Sequence, residues 1–385
     1  MQPLRFATAG SVDDGKSTLI GRLLYDARAI HEDQLAAVER ASQRRGAGEL
    51  DLSLLTDGLE AEREQGITID VAYRYFSTPG RKFIIADSPG HEQYTRNMAT
   101  GASNADAIVL LVDVTKGLLE QTRRHLRIAR LFGIRQAVAF VNKMDLVGYA
   151  EDAFRKLSLD GLEAIPGSAL RGDMVVERGD ALDWYKGPTL LERLESWRSS
   201  AEQAAAAPFR FPVQLVSRPK DGAPRGYMGR IESGHLLAGA KVLALPCGQT
   251  TTVRQILCHG VQREIAVAGD SVTLVLADDV DIARGDLIAD AAQPPREART
   301  LGVTLVWLGR EPLLPARRYL VQQAARRALA KVEAQGAVAL NDVAEARLSL
   351  YAPLYVDPYD SVRATGGLIL IDEATNHTVA AALVR

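Results

Sequence analysis

The stretch from Gly10 to Thr18 constrains the fold of this chain more than any other. It reads GSVDDGKST, and it lies between an apolar lead-in at 4–7 and apolar residues that recur at helical spacing over 19–24. A glycine-rich turn between a strand and a helix surrounds a polyphosphate with backbone N–H groups at the positive end of the helix. The sequence therefore predicts a phosphate-binding loop, in which Lys16 reaches the β- and γ-phosphates and Ser17 binds Mg²⁺. The predicted phosphate contacts are Gly10, Ser11, Val12, Asp13, Asp14, Gly15, Lys16, Ser17 and Thr18.

Composition narrows the class of protein. At 385 residues the chain is long enough for two or three domains, and a net charge of -2 gives no polybasic footprint for nucleic acid. Its two cysteines, Cys247 and Cys258, indicate a reducing compartment without a disulfide framework or a cysteine-rich metal site. No run approaches 18 apolar residues, and the first residues lack the pattern of a signal peptide. We therefore expect a cytoplasmic protein with no membrane partner. The net charge does not by itself decide whether nucleic acid is a partner, because a local basic patch can lie within a neutral total; we expect no such partner.

The segment Glu60–Asp70 predicts a nucleotide-sensing loop. A charged, helix-like stretch stops at Gly66 and changes to a β-rich run that contains Thr68. A threonine hydroxyl in such a loop can complete Mg²⁺ coordination while a γ-phosphate is present. An ordinary strand threonine is the alternative.

A third phosphate segment follows two strands predicted at Val71–Phe76 and Lys82–Ala86, which are joined by a turn. An acidic residue at the end of a buried strand can hold Mg²⁺ through water, and a nearby glycine N–H can contact the γ-phosphate. The histidine next to them can orient an attacking water, although a structural histidine fits the sequence as well. The residues of this segment are Asp87, Ser88, Pro89, Gly90 and His91.

Further βα alternation leads to a base-recognition segment. Helices are predicted at Tyr94–Ala105 and Thr122–Phe132, and buried strands at Ala107–Val112 and Gln136–Val141. The carboxylate of Asp145 can accept from the N1–H and the exocyclic amine of guanine, which adenine does not offer in that arrangement. A short loop at 168–170 can place backbone N–H groups near the guanine oxygen. The predicted guanine contacts are Asn142, Lys143, Met144, Asp145, Ser168, Ala169 and Leu170.

Each segment alone is weak evidence for a nucleotide site. The phosphate loop by itself fits an ordinary glycine turn, and it does not distinguish an ATP site from a GTP site. Their joint order predicts a guanine-nucleotide-dependent hydrolase. In this set the Lys143 stem can cover the ring, and Asn142 can tie the guanine loop to the phosphate loop.

The motifs resemble those of the translation-factor class of GTPases and, within it, the family of the GTPase subunit of bacterial sulfate adenylyltransferase, or ATP sulfurylase. Asp14 stands where elongation factors usually have histidine, and Ser88 replaces the usual threonine of the DTPG motif. The resemblance is dense over 1–200 and thinner beyond. It is carried by GSVDDGKSTLIGRLLYD (10–26), LLTDGLEAEREQGITIDVAYRYFST (54–78), DSPGHEQYTRNMATGAS (87–103) and VVERGDALDWYKGPTLLERLE (175–195).

This resemblance implies an α/β P-loop GTPase domain, with a mostly parallel sheet and helices on both faces, followed by two small β-barrel domains. We expect boundaries at 1–207, 208–296 and 297–385. It also implies that Ser17 and Thr68 ligate Mg²⁺, that Asp87 supports the ion through water, and that His91 positions the hydrolytic water. Asp13 falls where related GTPases hold a monovalent cation.

The same resemblance implies that GTP hydrolysis is coupled to adenylyl transfer from ATP to sulfate. The chain would then form a hetero-oligomer with a catalytic small subunit of ATP-pyrophosphatase type. Two alternatives stay open: an elongation-factor-like GTPase that delivers an aminoacyl-tRNA, and a regulatory GTPase without metabolic coupling. No second GxxxxGK[ST] follows residue 200, so we expect no fused adenylylsulfate kinase.

The region after Phe209 predicts β structure, with short apolar runs between Gly, Pro and Asp. Val321–Glu333 is an exception, because its residues favour a helix whereas the family resemblance implies strands. We expect strands there, since tertiary context often overrides propensity. Arg218 and Arg225 are candidates for contact with a partner, and solvated charges are the alternative. The last domain is shorter than is usual in the family.

Overall fold

The computed structural model describes residues 3–30, 32–44, 50–55, 72–87, 101–218, 224–314 and 317–385. Contacts divide the chain into two compact units, Met1–Ser199 and Ser200–Arg385. The predicted site residues Thr68, Ser88, Pro89, Gly90 and His91 lie outside the described residues.

A six-stranded sheet forms the centre of the first unit. Its strands are β1 (Leu4–Ala9), β2 (Ala72–Ser77), β3 (Lys82–Asp87), β4 (Ala107–Asp113), β5 (Gln136–Asn142) and β6 (Glu163–Pro166). The described helices are α1 (Lys16–Asp26), α2 (Glu32–Arg44), α3 (Glu120–Leu131), α4 (Glu151–Arg155) and α5 (Leu190–Ser196), with 3₁₀ turns at Leu52–Leu55 and Met144–Val147.

The strand order is β2-β3-β1-β4-β5-β6, in which only the β2–β3 pair is antiparallel. Every residue of β4 is buried, as expected for a central parallel strand with both faces covered. Parallel strands bring their carboxyl ends to one edge of the sheet. Registers that pair Thr8 with Asp87 and Asp113 with Asn142 place three predicted site segments at this edge. The predicted mostly parallel fold is therefore confirmed.

The second unit begins with α6 (Ser200–Ala204) and contains an antiparallel barrel. Six strands close it through a β10–β11 pairing, β12 extends β11, and β9 pairs with β13. These strands are β7 (Arg210–Ser217), β8 (Gly226–Arg230), β9 (His235–Leu237), β10 (Lys241–Leu245), β11 (Gln249–Cys258), β12 (Val261–Arg263), β13 (Ile265–Val267), β14 (Ser271–Leu276) and β15 (Leu287–Asp290).

A second closed barrel follows, with strand order β16-β19-β18-β17-β20-β21. Its elements are β16 (Arg296–Trp307), β17 (Arg318–Gln323), β18 (Arg326–Ala334), β19 (Val343–Val356), α7 (Arg363–Gly366), β20 (Gly367–Asp372) and β21 (Thr378–Val384). The three-domain division with boundaries at 207 and 296 stays a prediction.

The segment Val321–Glu333, whose residues favour a helix, folds as two antiparallel strands, β17 and β18. The expectation of strands is therefore confirmed. Burial alternates along them: Tyr319 and Val321 on one strand, and Ala330 and Val332 on the other, all point into the barrel core. A period of two buries one face of each strand, whereas a helix would scatter the same apolar residues. Packing therefore outweighs the helix propensity of this sequence.

Within the second unit, a buried ion pair joins the two barrels. Arg210 on β7 is 1% exposed, and its Nε and Nη2 donate to the two carboxylate oxygens of Asp357 at 2.8 and 2.9 Å. Thr365 also donates to Asp357, at 2.6 Å. The Leu245, Leu287 and Tyr355 side chains pack in one apolar cluster at the same junction.

Candidate functional site

The phosphate loop connects β1 to α1, as its sequence predicts. Gly15, at the N-terminus of α1, has a φ of 91°, a left-handed conformation that costs glycine little. A Cβ atom at this position would lie 2.3 Å from Nδ2 of Asn142, so any larger residue would collide with the guanine segment. Glycine is therefore required here both by the backbone conformation and by the close approach of Asn142.

A buried ion pair spans two of the predicted phosphate segments. Lys16, the first residue of α1, places its Nζ 2.9 Å from Oδ1 of Asp87 at the end of β3. Their side chains are only 9% and 2% exposed. The structure thus brings together the predicted phosphate lysine and the predicted Mg²⁺-supporting carboxylate.

Asn142 connects the guanine segment to the phosphate loop. Its Nδ2 donates to the backbone oxygen of Asp14 at 2.8 Å, and its Oδ1 accepts from the N–H of Ala169 at the same distance. The expected tie between the two loops is therefore present, and it extends to the loop at 168–170.

Short polar contacts hold the other residues that are predicted to contact guanine. Ser168 donates to Oδ1 of Asp145 at 2.6 Å, while Oδ2 of Asp145 accepts no hydrogen bond within the described residues. Lys143 has a φ of 65°, and its ammonium lies 2.8 Å from Oδ2 of Asp113. Burial raises the pKa of the Asp113 carboxyl, but hydrogen bonds from Lys143 and Thr115 outweigh burial, and the pKa is lowered overall. The arrangement leaves one carboxylate oxygen of Asp145 available to a base.

Asp14 is a buried carboxyl inside the loop. One of its oxygens accepts from the N–H of Ser11 at 2.8 Å, and the other has no partner among the described residues. Burial raises its pKa to about 6, against the lowering effects of the Ser11 N–H and of Lys116. Asp14 thus puts a titratable acid inside the loop.

The residues present fit a guanine nucleotide with Mg²⁺. Gly15 adds no side chain to the loop, Lys16 supplies a cation, and Ser17 and Asp87 supply the oxygen donors that Mg²⁺ prefers. Among the described residues, no group of three or more His, Cys, Asp and Glu side chains could hold a metal ion.

Known proteins match this chain along its length. Residues 2–199 match the Elongation factor Tu GTP binding domain family, and residues 320–385 match the GTP-eEF1A C-terminal domain-like family. Sulfate adenylyltransferase subunit 1 of Aeromonas hydrophila subsp. hydrophila is 49% identical, over 99% of this chain and 86% of that protein. The chain belongs to the sulfate adenylyltransferase subunit 1 family. The Yersinia pestis protein of that name is 50% identical over 99% of this chain and 85% of its own length.

The first unit of this sulfate adenylyltransferase subunit 1 family member carries its GTP-binding domain. No helix in the described part of the chain combines the length and the apolar composition needed to cross a membrane.

Three residues near the site were not predicted from the sequence. Asp113 pairs with Lys143, and Arg22 on α1 donates to the carbonyls of the 168–170 loop. His125 on α3 is fully buried, and burial together with the charge of Lys16 lowers its pKa to about 4. The position of Asp113 at a strand end was a usable signal, whereas Arg22 and His125 sit inside helices with nothing in the sequence to distinguish them.

Proposed function

We propose that this chain binds GTP with Mg²⁺ and hydrolyses it as the GTPase subunit of a sulfate adenylyltransferase. The observation that carries the proposal is Asn142, whose amide joins the phosphate loop at Asp14 to the guanine loop at Ala169. A single side chain thereby sets the spacing between the segment suited to phosphates and the segment suited to guanine. The family membership supplies the reaction to which this site is coupled.

The coupled reaction is adenylyl transfer from ATP to sulfate, which forms adenylylsulfate and pyrophosphate. The free-energy change of this transfer is strongly unfavourable, so coupling it to GTP hydrolysis supplies a driving force. We propose that a catalytic small subunit of ATP-pyrophosphatase type holds ATP and sulfate, and that this chain drives it through GTP-dependent conformational change.

Each residue of the site has a distinct role in this proposal. Lys16 contacts the β- and γ-phosphates, Ser17 and Thr68 ligate Mg²⁺, and Asp87 supports the ion through water. The ion neutralises charge on the phosphates when it is bound. The three N–H donors of the Lys16 ammonium are then shared between Asp87 and the phosphates.

We further propose that release of the γ-phosphate switches the chain. Thr68 and Gly90 contact the ion and the γ-phosphate only in the triphosphate state, so hydrolysis frees both loops. The catalytic subunit would sense that these two loops are ordered before hydrolysis and released after it.

His91 is proposed to position the hydrolytic water. The His91→Ala variant should bind GDP nearly as tightly as the parent chain and hydrolyse GTP more slowly, measured by phosphate release in single turnover. Unchanged hydrolysis would show that His91 is structural.

Asp13 is proposed to hold a monovalent cation near the phosphates. Its backbone has a φ of 67°, in the exposed part of the loop. The GTPase rate of the parent chain should differ between sodium and potassium buffers, and that of Asp13→Ala should not. An equal salt response of the two proteins would remove the proposal.

The coupling is tested by changing the base that the site accepts. The Asp145 carboxylate accepts from the N1–H and the exocyclic amine of guanine. Asparagine in its place offers an N–H donor, which complements the carbonyl that xanthine carries instead of the amine. With the catalytic subunit, ATP and sulfate, the parent chain should form adenylylsulfate faster with GTP, and the Asp145→Asn variant faster with XTP. If GTP but not XTP stimulated the variant, a site other than Asp145 would be responsible for the coupling to GTP.

Co-purification separates this function from the two alternatives. Capture of an ATP-pyrophosphatase-type subunit supports the proposal, whereas recovery of tRNA without that subunit would favour delivery of an aminoacyl-tRNA. A GTPase rate that does not respond to the subunit, ATP and sulfate would indicate a regulatory GTPase.

A further inference from the structure

Arg22 links the helix of the phosphate loop to the loop at 168–170. It lies on α1, 18% exposed, and its Nε donates to the backbone oxygen of Ala169 at 3.2 Å. Its Nη2 donates to the backbone oxygen of Leu170, and its Nη1 lies 3.5 Å from Oδ1 of Asp26. The rigid guanidinium fork therefore holds two successive carbonyls of this loop at once.

The first of these contacts fixes the direction of a neighbouring N–H. The oxygen of Ala169 and the N–H of Leu170 belong to one peptide group, and in a planar trans peptide they point in opposite directions. With the oxygen held by Arg22, the Leu170 N–H points away from the Arg22 guanidinium.

This N–H is also the donor that the loop has left for a ligand. The N–H of Ala169 already donates to Oδ1 of Asn142 at 2.8 Å, and that of Arg171 donates to Ser168 Oγ at 3.2 Å. The Leu170 N–H donates no hydrogen bond within the described part of the chain. An oriented backbone donor without a partner, beside Asp145, suits a carbonyl oxygen on the same base.

We propose that Arg22 is a positioning residue for guanine recognition, which aims the Leu170 N–H at the O6 atom by holding the carbonyls of Ala169 and Leu170. The proposal rests on the guanine site proposed above. Since α1 begins at Lys16, the same residue makes the base contact depend on the placement of the phosphate-loop helix.

The test uses a base that lacks the atom in question. In 2-aminopurine riboside 5′-diphosphate, hydrogen replaces O6 and N1 carries no proton, so the Asp145 contact is weakened equally in every variant. Affinities of the full chain for this analogue and for GDP are measured by competition with a fluorescent GDP derivative. Arg22→Ala should weaken GDP binding by about 10-fold and analogue binding by less than about 2-fold.

Two further variants define the comparison. Arg22→Lys keeps a cation that reaches one carbonyl, so it should restore part of the preference for GDP. Arg155→Ala is the matched control, because Arg155 pairs with Glu151 at i and i+4 on α4, as Arg22 does with Asp26, and makes no contact with the 168–170 loop in the described structure. It should leave both affinities unchanged.

Equal losses for GDP and the analogue would overturn the proposal, because Arg22 would then act on the fold or on the phosphates. No loss for GDP would overturn it as well. Should Arg22→Ala unfold, the ratio of the two affinities in Arg22→Lys decides in the same way. A parent chain that fails to prefer GDP would instead contradict the guanine site itself.

Discussion

The ammonium of Lys16 and a carboxylate oxygen of Asp87 lie 2.9 Å apart with almost no exposure to solvent. The two residues are 71 positions apart in the sequence and meet because β1 and β3 are parallel neighbours. Each neutralises the other at the place where the sequence predicts a triphosphate and its metal ion. Neither charge is therefore buried without a partner, and the pair sets the charge of the predicted site.

Removing one member of this pair should destabilise the first unit. Lys16→Ala leaves the Asp87 carboxylate buried without its cation, which should lower the free energy of unfolding by about 3–5 kcal/mol. The double variant Lys16→Met, Asp87→Asn should recover most of that loss and still fail to bind GTP. Urea unfolding and GTP titration measure the two properties, and full GTP binding by the double variant would contradict the role of Lys16.

Asn142→Ala should weaken GDP binding by about 10-fold or more, because it removes the contacts with Asp14 and Ala169 together. Gln136→Ala is the matched control. Gln136 begins the strand that Asn142 ends, and its amide also makes backbone hydrogen bonds, among them one to the Arg198 oxygen at 2.7 Å. Equal effects of the two variants on the dissociation rate of a fluorescent GDP would argue against a specific link.

Because His125 is buried, we expect the stability of the first unit to depend on pH. Its pKa falls from 6.5 to about 4 on folding, first because of burial and then because of the charges of Lys16 and Arg124. The unfolded chain therefore binds more protons between these pH values, and stability falls as the pH drops below 6.5. We expect this residue to account for a loss of about 2 kcal/mol between pH 8 and pH 5.

His125→Gln should remove that part of the pH dependence, measured by urea unfolding at several pH values. The control is His235→Gln, which changes an exposed histidine in the second unit. A pH profile unchanged by His125→Gln would contradict the prediction.

Arg210→Ala should lower the free energy of unfolding of the second unit by about 3–5 kcal/mol, since it leaves Asp357 without its bidentate partner. Arg318→Ala serves as control, because the Arg318–Glu373 pair is about half exposed and 3.5 Å apart. It should cost less than about 1 kcal/mol. Similar losses for the two variants would show that the buried pair has no special role.

Local sequence was sufficient for the segments whose chemistry is contained in a few neighbouring residues. The loop from Gly10 to Thr18 and the guanine segment from Asn142 to Asp145 follow buried strands, and both were predicted with their strands. A contact of Asn142 with the phosphate loop was expected from the motif and is present. The strand pairing explains it, because β1, β4 and β5 are parallel neighbours whose carboxyl ends lie at one edge of the sheet.

The tertiary structure alone decided which distant side chains complete the site and how ambiguous segments fold. Arg22 and His125 became recognisable only once their helices packed against the loops, because helical spacing does not reveal what a buried polar residue will meet. Val321–Glu333 has residues that favour a helix, yet the closed barrel makes it two strands by burying every second side chain. The local pattern determined the phosphate loop, because its backbone chemistry is local. Long-range packing determined the pairing of Lys16 with Asp87, because charge pairing between them depends on strands that are remote in the chain.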